Sequence, residues 1–105
     1  MKNNPVYSLL GIAKAGRNLV SGEFSTENAI RGNKAFLVIV ANDASDNTKK
    51  KFRDSTTYYH VPFYIFGTKD ELGHAIGCME RASIALTDEG LSKSLIKKLE
   101  ENSEA

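Results

Sequence analysis

The sequence predicts an α/β fold, a three-layer α/β/α sandwich around a mixed sheet of about four strands. Segments with helical periodicity alternate with short apolar segments, and one of these, residues 36–41, is a continuous run rich in β-branched residues. Such a run is typical of a central strand covered on both faces. Alternation of this kind requires crossovers, which place helices on both faces of the sheet. With 105 residues and no repeat, low-complexity stretch or linker, residues 1–105 are predicted to form a single domain.

The first half of the chain is predicted to alternate between helix and strand. Asn4 and Pro5 suit the N-cap and the first helical position, and Gly16 suits the end of that helix. In the second helix we expect Ala29, Ile30 and Thr26 to be buried. The predicted elements are a helix over 5–16, a strand over 18–21, a helix over 23–32 and the central strand over 36–41.

The second half begins with a polar turn, in which Ser45 or Asp46 is expected to cap a helix. Thr68 followed three residues later by Glu71 is a capping-box pattern and predicts another helix start. Thr87 or Asp88 is expected to cap the last helix. The predicted elements are a helix to about residue 56, a strand over 61–66, a helix over 68–76, a strand over 82–86 and a C-terminal helix.

Composition indicates an ordinary globular protein, with 41% hydrophobic and 26% charged residues and a net charge of +1. The charge is unevenly distributed: residues 1–53 carry nine Lys or Arg against four acids, and residues 54–105 carry five against nine. A chain polarised in this way can attract phosphate with one face, although lysines that merely solvate helix faces would give the same count.

The segment 1–5 lacks the apolar core of a signal peptide, and a single cysteine, Cys78, suits a reducing cytosol. We therefore expect a soluble, cytoplasmic protein without a membrane segment.

The residues needed for catalysis are not found in a suitable arrangement. A nucleophilic enzyme would need Cys78 or a serine beside a histidine, but Gly77 is expected to break the helix between His74 and Cys78. The only other histidine is His60, and no metal-ligand spacing is present. The segment 67–69 resembles the tail of a phosphate loop but lacks the upstream glycine, and two acids follow it. We expect no enzymatic activity, no metal and no cofactor.

Three loops at predicted strand ends carry features suited to binding. Gly22 lies just before a helix N-terminus, whose unpaired N–H groups can hold a phosphate or a sugar edge. Residues 41–43 follow the central strand with short polar side chains, at the kind of edge where open α/β sheets bind ligands. Residues 77–82 bring Met79 and Arg81 onto one loop, a combination suited to base and phosphate contacts. Each feature has a structural explanation of its own, but their joint occurrence favours a binding surface.

The order of these motifs resembles the kink-turn-binding ribosomal-protein family, and within it most closely the short bacterial YlxQ-like branch. The resemblance extends from about Lys14 to Gly90. Its most specific part is the segment Leu72-Gly73-His74-Ala75-Ile76-Gly77. The other matching segments are Ser21-Gly22 before a helix, residues 29–35 leading into 37–43, Tyr58-Tyr59 ahead of Val61-Pro62, and Arg81 with residues 84–86.

Members of that family have an α/β/α sandwich and bind RNA without chemistry, mainly at distorted or unpaired bases whose edges a protein can reach. The resemblance also implies roles for individual residues at the glycine turn, on the following helix and in the loop before the last strand. By this resemblance Gly22 allows close approach of the RNA, Ser25 and Asn28 face sheared guanine-adenine pairs, and Arg31 and Lys34 contact phosphate. Asp43 either contacts a base or braces its turn. Met79 and Arg81 lie on the loop that covers an extruded nucleotide.

The resulting hypothesis is a monomeric, non-catalytic protein that recognises a structured RNA, a kink-turn or a related internal loop, in ribosomal RNA or elsewhere in translation. A protein-interaction adaptor on the same scaffold is the alternative, because fold does not fix function. Where the strongest kink-turn binders carry Asn-Glu and then lysine one turn later, this chain has Phe24, Ser25 and Asn28. We expect Phe24 to lie in the core, although an exposed Phe24 could stack on a base.

Overall fold

A computed structural model describes residues 4–102 of the chain. Residues 1–3 of the N-terminal segment, including Lys2, lie outside the described residues, as do residues 103–105. Helices and strands alternate throughout, as the sequence predicts. In chain order they are α1 (Pro5–Ala15), β1 (Leu19–Ser21), α2 (Glu23–Arg31), β2 (Leu37–Val40), α3 (Asp46–Tyr59), β3 (Phe63–Ile65), α4 (Lys69–Ala75), β4 (Ser83–Leu86) and α5 (Glu89–Asn102).

The four strands form one mixed sheet in the order β1-β4-β2-β3. Strand β4 is antiparallel to both of its neighbours, while β2 and β3 are parallel. All residues of the two central strands, β2 and β4, are buried. Full burial of an aliphatic side chain contributes about 1.5–3 kcal/mol, so these strands are the stabilising centre of the sheet. The predicted mixed four-stranded sheet is confirmed.

Helices cover both faces of the sheet and complete the predicted three layers. Helices α2 and α3 pack together on one face, where α2 lies against β1 and β4 and α3 lies against β2 and β3. Helices α1, α4 and α5 form the other layer, in which α1 contacts both α4 and α5. Side chains from the helices close the core on either side of the sheet, among them Leu10, Ile30, Phe52, Leu72 and Leu95.

The helix starts follow the capping signals in the sequence. Asn4 accepts a hydrogen bond from the amide of Val6, as predicted for an N-cap. Of the two candidates for α3, Ser45 is the cap, and its hydroxyl accepts from the amide of Thr48 at 3.1 Å. Of the two candidates for α5, Asp88 accepts from the amide of Leu91 at 2.8 Å.

Two elements depart from their predicted bounds by more than one residue at an end. Helix α3 continues to Tyr59 rather than ending near residue 56, because it terminates at His60, which takes a left-handed conformation at φ 60°. No glycine marks this position, but Pro62, two residues further on, is the signal in the sequence that the helix can continue to about residue 60 and no further. Strand β3 covers only Phe63–Ile65 of the predicted residues 61–66. Among residues 4–102, no helix combines the length and apolar character needed to cross a membrane.

Candidate nucleic-acid interface

Four loops meet at one end of the sheet because of the strand order. Strands β1, β2 and β3 end there, and β4 begins there, with Val40 paired to both Ser83 and Ile65. We call residues 21–22, 41–43, 67–69 and 78–82 the loop cluster. Backbone hydrogen bonds join its parts: Gly22 N–H to Ser83 O at 2.9 Å, Ala41 N–H to Ala82 O at 2.9 Å, Asn42 N–H to Gly67 O at 2.7 Å and Arg81 N–H to Lys69 O at 3.0 Å. The three loops selected from the sequence are therefore neighbours.

Gly22 links β1 to α2 in a conformation that only glycine adopts readily. Its φ is +93° and its ψ 159°, a region in which a side chain is strained. A Cβ built on Gly22 would have no heavy atom within 4 Å, so the space in front of the backbone is open. As the N-cap, Gly22 has no side chain to bond the first amides of α2, which remain available to an anion or a sugar edge.

Replacing Gly22 with valine should separate these two roles. The positive φ should cost roughly 1–3 kcal/mol of folding stability, and the added volume should also block close approach of RNA. His60→Val is the control, because His60 also has a positive φ, 60°, and lies outside the loop cluster and the α2 stripe. We expect both variants to melt earlier, but only Gly22→Val to lose RNA affinity when measured well below its melting temperature. Equal affinities for the two folded variants would leave Gly22 as a structural turn alone.

The outer side of α2 forms a stripe that begins at the loop cluster. Phe24, Ser25, Asn28 and Arg31 are all exposed and recur at helical spacing, so they lie along one side of the helix; we call them the α2 stripe. The expectation that Phe24 lies in the core is wrong, because its side chain is 79% exposed. The reason is positional: Thr26, Ala29 and Ile30 already fill the buried side of this short helix.

Arg81 bridges two parts of the loop cluster. Its Nε donates to the Ser21 hydroxyl at 3.0 Å, and its Nη1 donates to the Glu80 carbonyl at 3.1 Å. The neighbouring Glu80 carboxylate lies 3.9 Å from Lys69 Nζ. The guanidinium is thus held beside the start of α2 by two neutral partners.

Asp43 and Lys69 hold the β2 and β3 loops together. Asp43 Oδ1 accepts a hydrogen bond from the Lys69 amide at 2.8 Å. This bond joins the loop after β2 to the start of α4, and the implied contact of Asp43 with a base stays a prediction. Lys69 was not identified from the sequence as a site residue. Its place at the first position of α4, fixed by the Thr68–Glu71 capping box, is the signal that would have located it.

Met79 extends into solvent from the loop before β4, with 84% of its side chain exposed. The loop is shaped by Gly73 of α4, whose missing side chain allows the backbone of Met79 to lie against the helix. Helix α4 ends before Gly77, which has a positive φ, so the predicted break between His74 and Cys78 is confirmed. Among the described residues, no three histidine, cysteine or acidic side chains lie close enough together to hold a metal ion.

The predicted phosphate partners Arg31 and Lys34 lie away from the loop cluster. Arg31 is the last residue of α2 and Lys34 follows it, so both are at the opposite end of the helix from Gly22. Arg31 Nε lies 3.3 Å from Glu27 Oε2. The surface implied by the sequence therefore has two parts, a loop cluster with Gly22, Asp43, Met79 and Arg81, and an α2 stripe that leads from it through Ser25 and Asn28 towards Arg31 and Lys34.

Acids neutralise several of the cations around this surface. Glu23 at the start of α2 lies 2.7 Å from Lys51 Nζ, and Lys50 is paired with Asp54. Exposed ion pairs of this kind contribute only about 0–1 kcal/mol, so a phosphate can replace the acid at small cost. The surface is consequently only moderately basic, in agreement with the small net charge.

Comparison with known proteins gives consistent matches over most of the chain. The family model of the ribosomal protein L7Ae/L30e/S12e/Gadd45 family matches residues 4–96. RNA-binding protein YlxQ of Bacillus subtilis is 40% identical over 94 residues, 90% of this chain and 94% of that protein. RNA-binding protein YlxQ of Enterococcus faecium is 41% identical over 86 residues, 82% of each chain.

Solved structures with the same fold match the chain over most of its length. A Bacillus halodurans protein of unknown function superposes with a TM-score of 0.91 at 36% identity, covering 93% of this chain and 99% of its own. The Giardia lamblia 15.5kD RNA binding protein superposes with a TM-score of 0.78 over 96% of this chain and 90% of its own, at 18% identity, a likeness of fold alone. With the fold, the segment around Gly73 and these matches in agreement, the chain belongs to the ribosomal protein L7Ae/L30e/S12e/Gadd45 family.

Proposed function

We propose that this protein is a non-catalytic RNA-binding protein of the cytoplasm, and that it recognises a structured RNA, a kink-turn or a related internal loop, in ribosomal RNA or another RNA of translation. The loop cluster and the α2 stripe form the RNA-binding surface. The relatives reported above are named for RNA binding, which supports an RNA partner without identifying the RNA.

The observation that carries the proposal is the convergence of three features at one end of the sheet. These are the open backbone of Gly22 with the uncapped amides of α2, the guanidinium of Arg81 bonded to Ser21, and the exposed side chain of Met79. Amides and a guanidinium bind phosphate and sugar edges, while an exposed apolar side chain packs on a base. Together these groups are suited to binding a nucleotide that is flipped out of its RNA helix.

The shape and chemistry of the surface favour distorted RNA over regular duplex. The deep major groove of an A-form helix cannot be read by side chains, whereas splayed bases in loops and bulges can be. Phe24 adds an exposed aromatic ring beside the loop cluster, and stacking of a base on such a ring contributes about 1–3 kcal/mol. Ser25 and Asn28, which follow on the α2 stripe, supply short polar groups for base edges.

A binding assay with three RNA probes tests the proposal. The probes are a labelled kink-turn with sheared guanine-adenine pairs, the same RNA with those pairs changed to Watson–Crick pairs, and a single strand of equal length. We expect the kink-turn to bind at least about tenfold more tightly than the other two, a difference of about 1.4 kcal/mol. Equal binding to all three would refute recognition of structure, and absence of binding together with a co-purifying protein would support the adaptor alternative.

Salt dependence of the same binding reaction reports how many phosphates are contacted. If Arg31, Lys34 and two or three of residues 49–53 contact phosphate, log affinity should fall linearly with log salt, with a slope on the order of −0.7 per contact, the value for single strands. Charge reversal at residues 49–51 should weaken binding less than reversal at Arg31 and Lys34, because residues 49–51 lie on α3, outside the loop cluster and the α2 stripe. Titrations from about 50 to 200 mM salt provide the measurement. Affinity that does not change with salt would contradict these contacts.

A further inference from the structure

Tyr7 lies on α1, in the helical layer opposite α2, yet its side chain reaches the loops of the proposed interface. Its hydroxyl donates a hydrogen bond to Glu71 Oε1 at 2.8 Å. Its ring packs on Phe66, with the ring centroids 5.3 Å apart. Burial raises the pKa of Tyr7 well above its ordinary value, and the hydrogen bond to Glu71 and the charge of that carboxylate raise it further. The hydroxyl therefore stays protonated and remains a donor at physiological pH.

The oxygen that accepts from Tyr7 also serves the capping box of α4. Glu71 Oε1 accepts from the Thr68 amide at 3.2 Å, and the Thr68 hydroxyl accepts from the Glu71 amide at 3.0 Å. A capping box satisfies two amides at the start of a helix and so ties the N-cap residue to the first turn. Because Tyr7 bonds to the same carboxylate, it fixes the α4 entry relative to α1 as well.

The residues on either side of Thr68 then hold the rest of the loop cluster. The Gly67 carbonyl accepts from the Asn42 amide at 2.7 Å. The Lys69 amide donates to Asp43 Oδ1 at 2.8 Å, and the Lys69 carbonyl accepts from the Arg81 amide at 3.0 Å. A continuous set of hydrogen bonds therefore joins Tyr7 to the loop that carries Arg81.

Gly67 shows how closely Tyr7 and this loop fit together. Its φ is +71°, and a Cβ at this position would lie 2.7 Å from the Tyr7 hydroxyl oxygen. A side chain at residue 67 would displace the Tyr7 hydroxyl, so the glycine leaves room for the hydroxyl to lie against the loop. The hydroxyl is thus both a hydrogen-bond donor and a packing surface for the loop.

We propose that Tyr7 is a positioning residue of the RNA interface, which holds the residue 67–69 loop, and through it Asp43 and Arg81, in the arrangement that RNA binding needs. This inference rests on the function proposed above. Tyr7 contacts no RNA in this scheme. Its contribution is to keep the loop cluster preorganised, so that RNA does not have to order these loops when it binds.

Tyr7→Phe tests this role, because it removes the hydroxyl and leaves the ring. Tyr64→Phe is the matched control: the Tyr64 hydroxyl also donates to a glutamate, Glu100, but that bond joins β3 to α5 rather than to the loop cluster. With the labelled kink-turn RNA as probe, we expect Tyr7→Phe to lose at least about fivefold in affinity, about 1 kcal/mol, well below its melting temperature. Tyr64→Phe should stay within about twofold of the unmodified protein. Equal affinity of Tyr7→Phe and the unmodified protein would overturn the inference.

Amide hydrogen exchange in the absence of RNA gives a readout that does not depend on the proposed function. The amides of Asn42 and Arg81, which bond to Gly67 and Lys69, should exchange at least about fivefold faster in Tyr7→Phe than in Tyr64→Phe. Unchanged exchange at both amides would overturn the positioning role even if RNA affinity fell. If exchange rises as expected but the unmodified protein binds none of the RNA probes, the loop-holding role stands while the proposed function fails.

A conservative variant separates geometry from charge. Glu71→Gln keeps an oxygen that can accept from Tyr7 and Thr68, and glutamine is a normal capping-box residue. We expect Glu71→Gln to retain RNA affinity and slow exchange at Asn42 and Arg81. If Glu71→Gln lost both RNA affinity and slow exchange while Tyr7→Phe kept both, the carboxylate charge, rather than the bond from Tyr7, would be what holds the loop.

Discussion

Replacing Gly73 with alanine is expected to destabilise the protein more than any other single change considered for this chain. A Cβ on Gly73 would lie 2.0 Å from the Met79 carbonyl oxygen, 2.7 Å from its carbonyl carbon and 2.8 Å from Glu80 Cα. All three are backbone atoms, so no change of rotamer relieves the overlap, and the loop must move away from α4. Overpacking typically costs about 1–3 kcal/mol, and we expect the upper part of this range.

Thermal unfolding measures this cost, and Gly90→Ala is the control. Gly90 also lies in a helix, α5, but its added Cβ would meet only the Asp88 carboxylate at 3.5 Å. Because alanine is the better helix former, Gly90→Ala should leave stability unchanged or slightly raised. For a domain of this size a loss of 2 kcal/mol lowers the melting temperature by roughly 8–16 °C. Similar melting of the two variants would contradict the close packing of α4 against the Met79 loop.

Arg81→Glu is expected to lower RNA affinity by at least about tenfold, which corresponds to about 1.4 kcal/mol. The change removes the guanidinium beside the start of α2 and places a carboxylate where phosphate is expected. The fold should survive, because the hydrogen bonds that Arg81 makes to Ser21 and Glu80 lie at a partly exposed position, where water can replace the lost donor. Fluorescence anisotropy with the kink-turn probe, together with a melting curve, gives both quantities.

Three further variants sharpen this comparison. Arg17→Glu makes the same charge change at the opposite end of the sheet, next to Asn18, whose carbonyl bonds to the Thr87 amide, and should have little effect. Met79→Ala should weaken binding by less than Arg81→Glu, and Glu80→Ala should strengthen it by removing a negative charge near RNA. If Arg81→Glu lowered only the melting temperature, or if Arg17→Glu weakened binding equally, the loop would have to be removed from the interface.

The features predicted correctly from the sequence are those set by residues close together in the chain. Asn4 with Pro5, and Thr68 with Glu71, specify helix starts within a single turn, and the β-branched run of β2 specifies a central strand. The end of α3 was missed because His60 takes a left-handed conformation without the glycine that usually signals one. Local chemistry therefore accounts for most element boundaries, and departures occur where a residue adopts an uncommon conformation.

The arrangement of the proposed interface was less predictable because its contacts join distant residues. Arg81 bonds to Ser21, 60 positions earlier, and the Lys69 amide bonds to Asp43, 26 positions earlier. Neither pairing follows from spacing, since both depend on the order of the strands. Phe24 was assigned to the core on general grounds, and only the packing of its helix shows that the buried side was already occupied. The segment Leu72-Gly73-His74-Ala75-Ile76-Gly77 was singled out by family resemblance alone. The close approach of the Met79 backbone explains why a glycine is needed at residue 73.

The place of β4 in the sheet has a consequence for how the protein is made. This strand, residues 83–86, lies between β1 and β2, so the first three strands cannot assemble their final sheet until it has been synthesised. Partners so distant in sequence give a high contact order, which slows folding and leaves strand edges exposed in shorter chains. A chain truncated before residue 83 would lack one of the two central strands, and the loop that carries Arg81 would have no strand to hold it in place. Folding and acquisition of the binding surface are therefore expected to be a single late event, completed only when the last quarter of the chain is available.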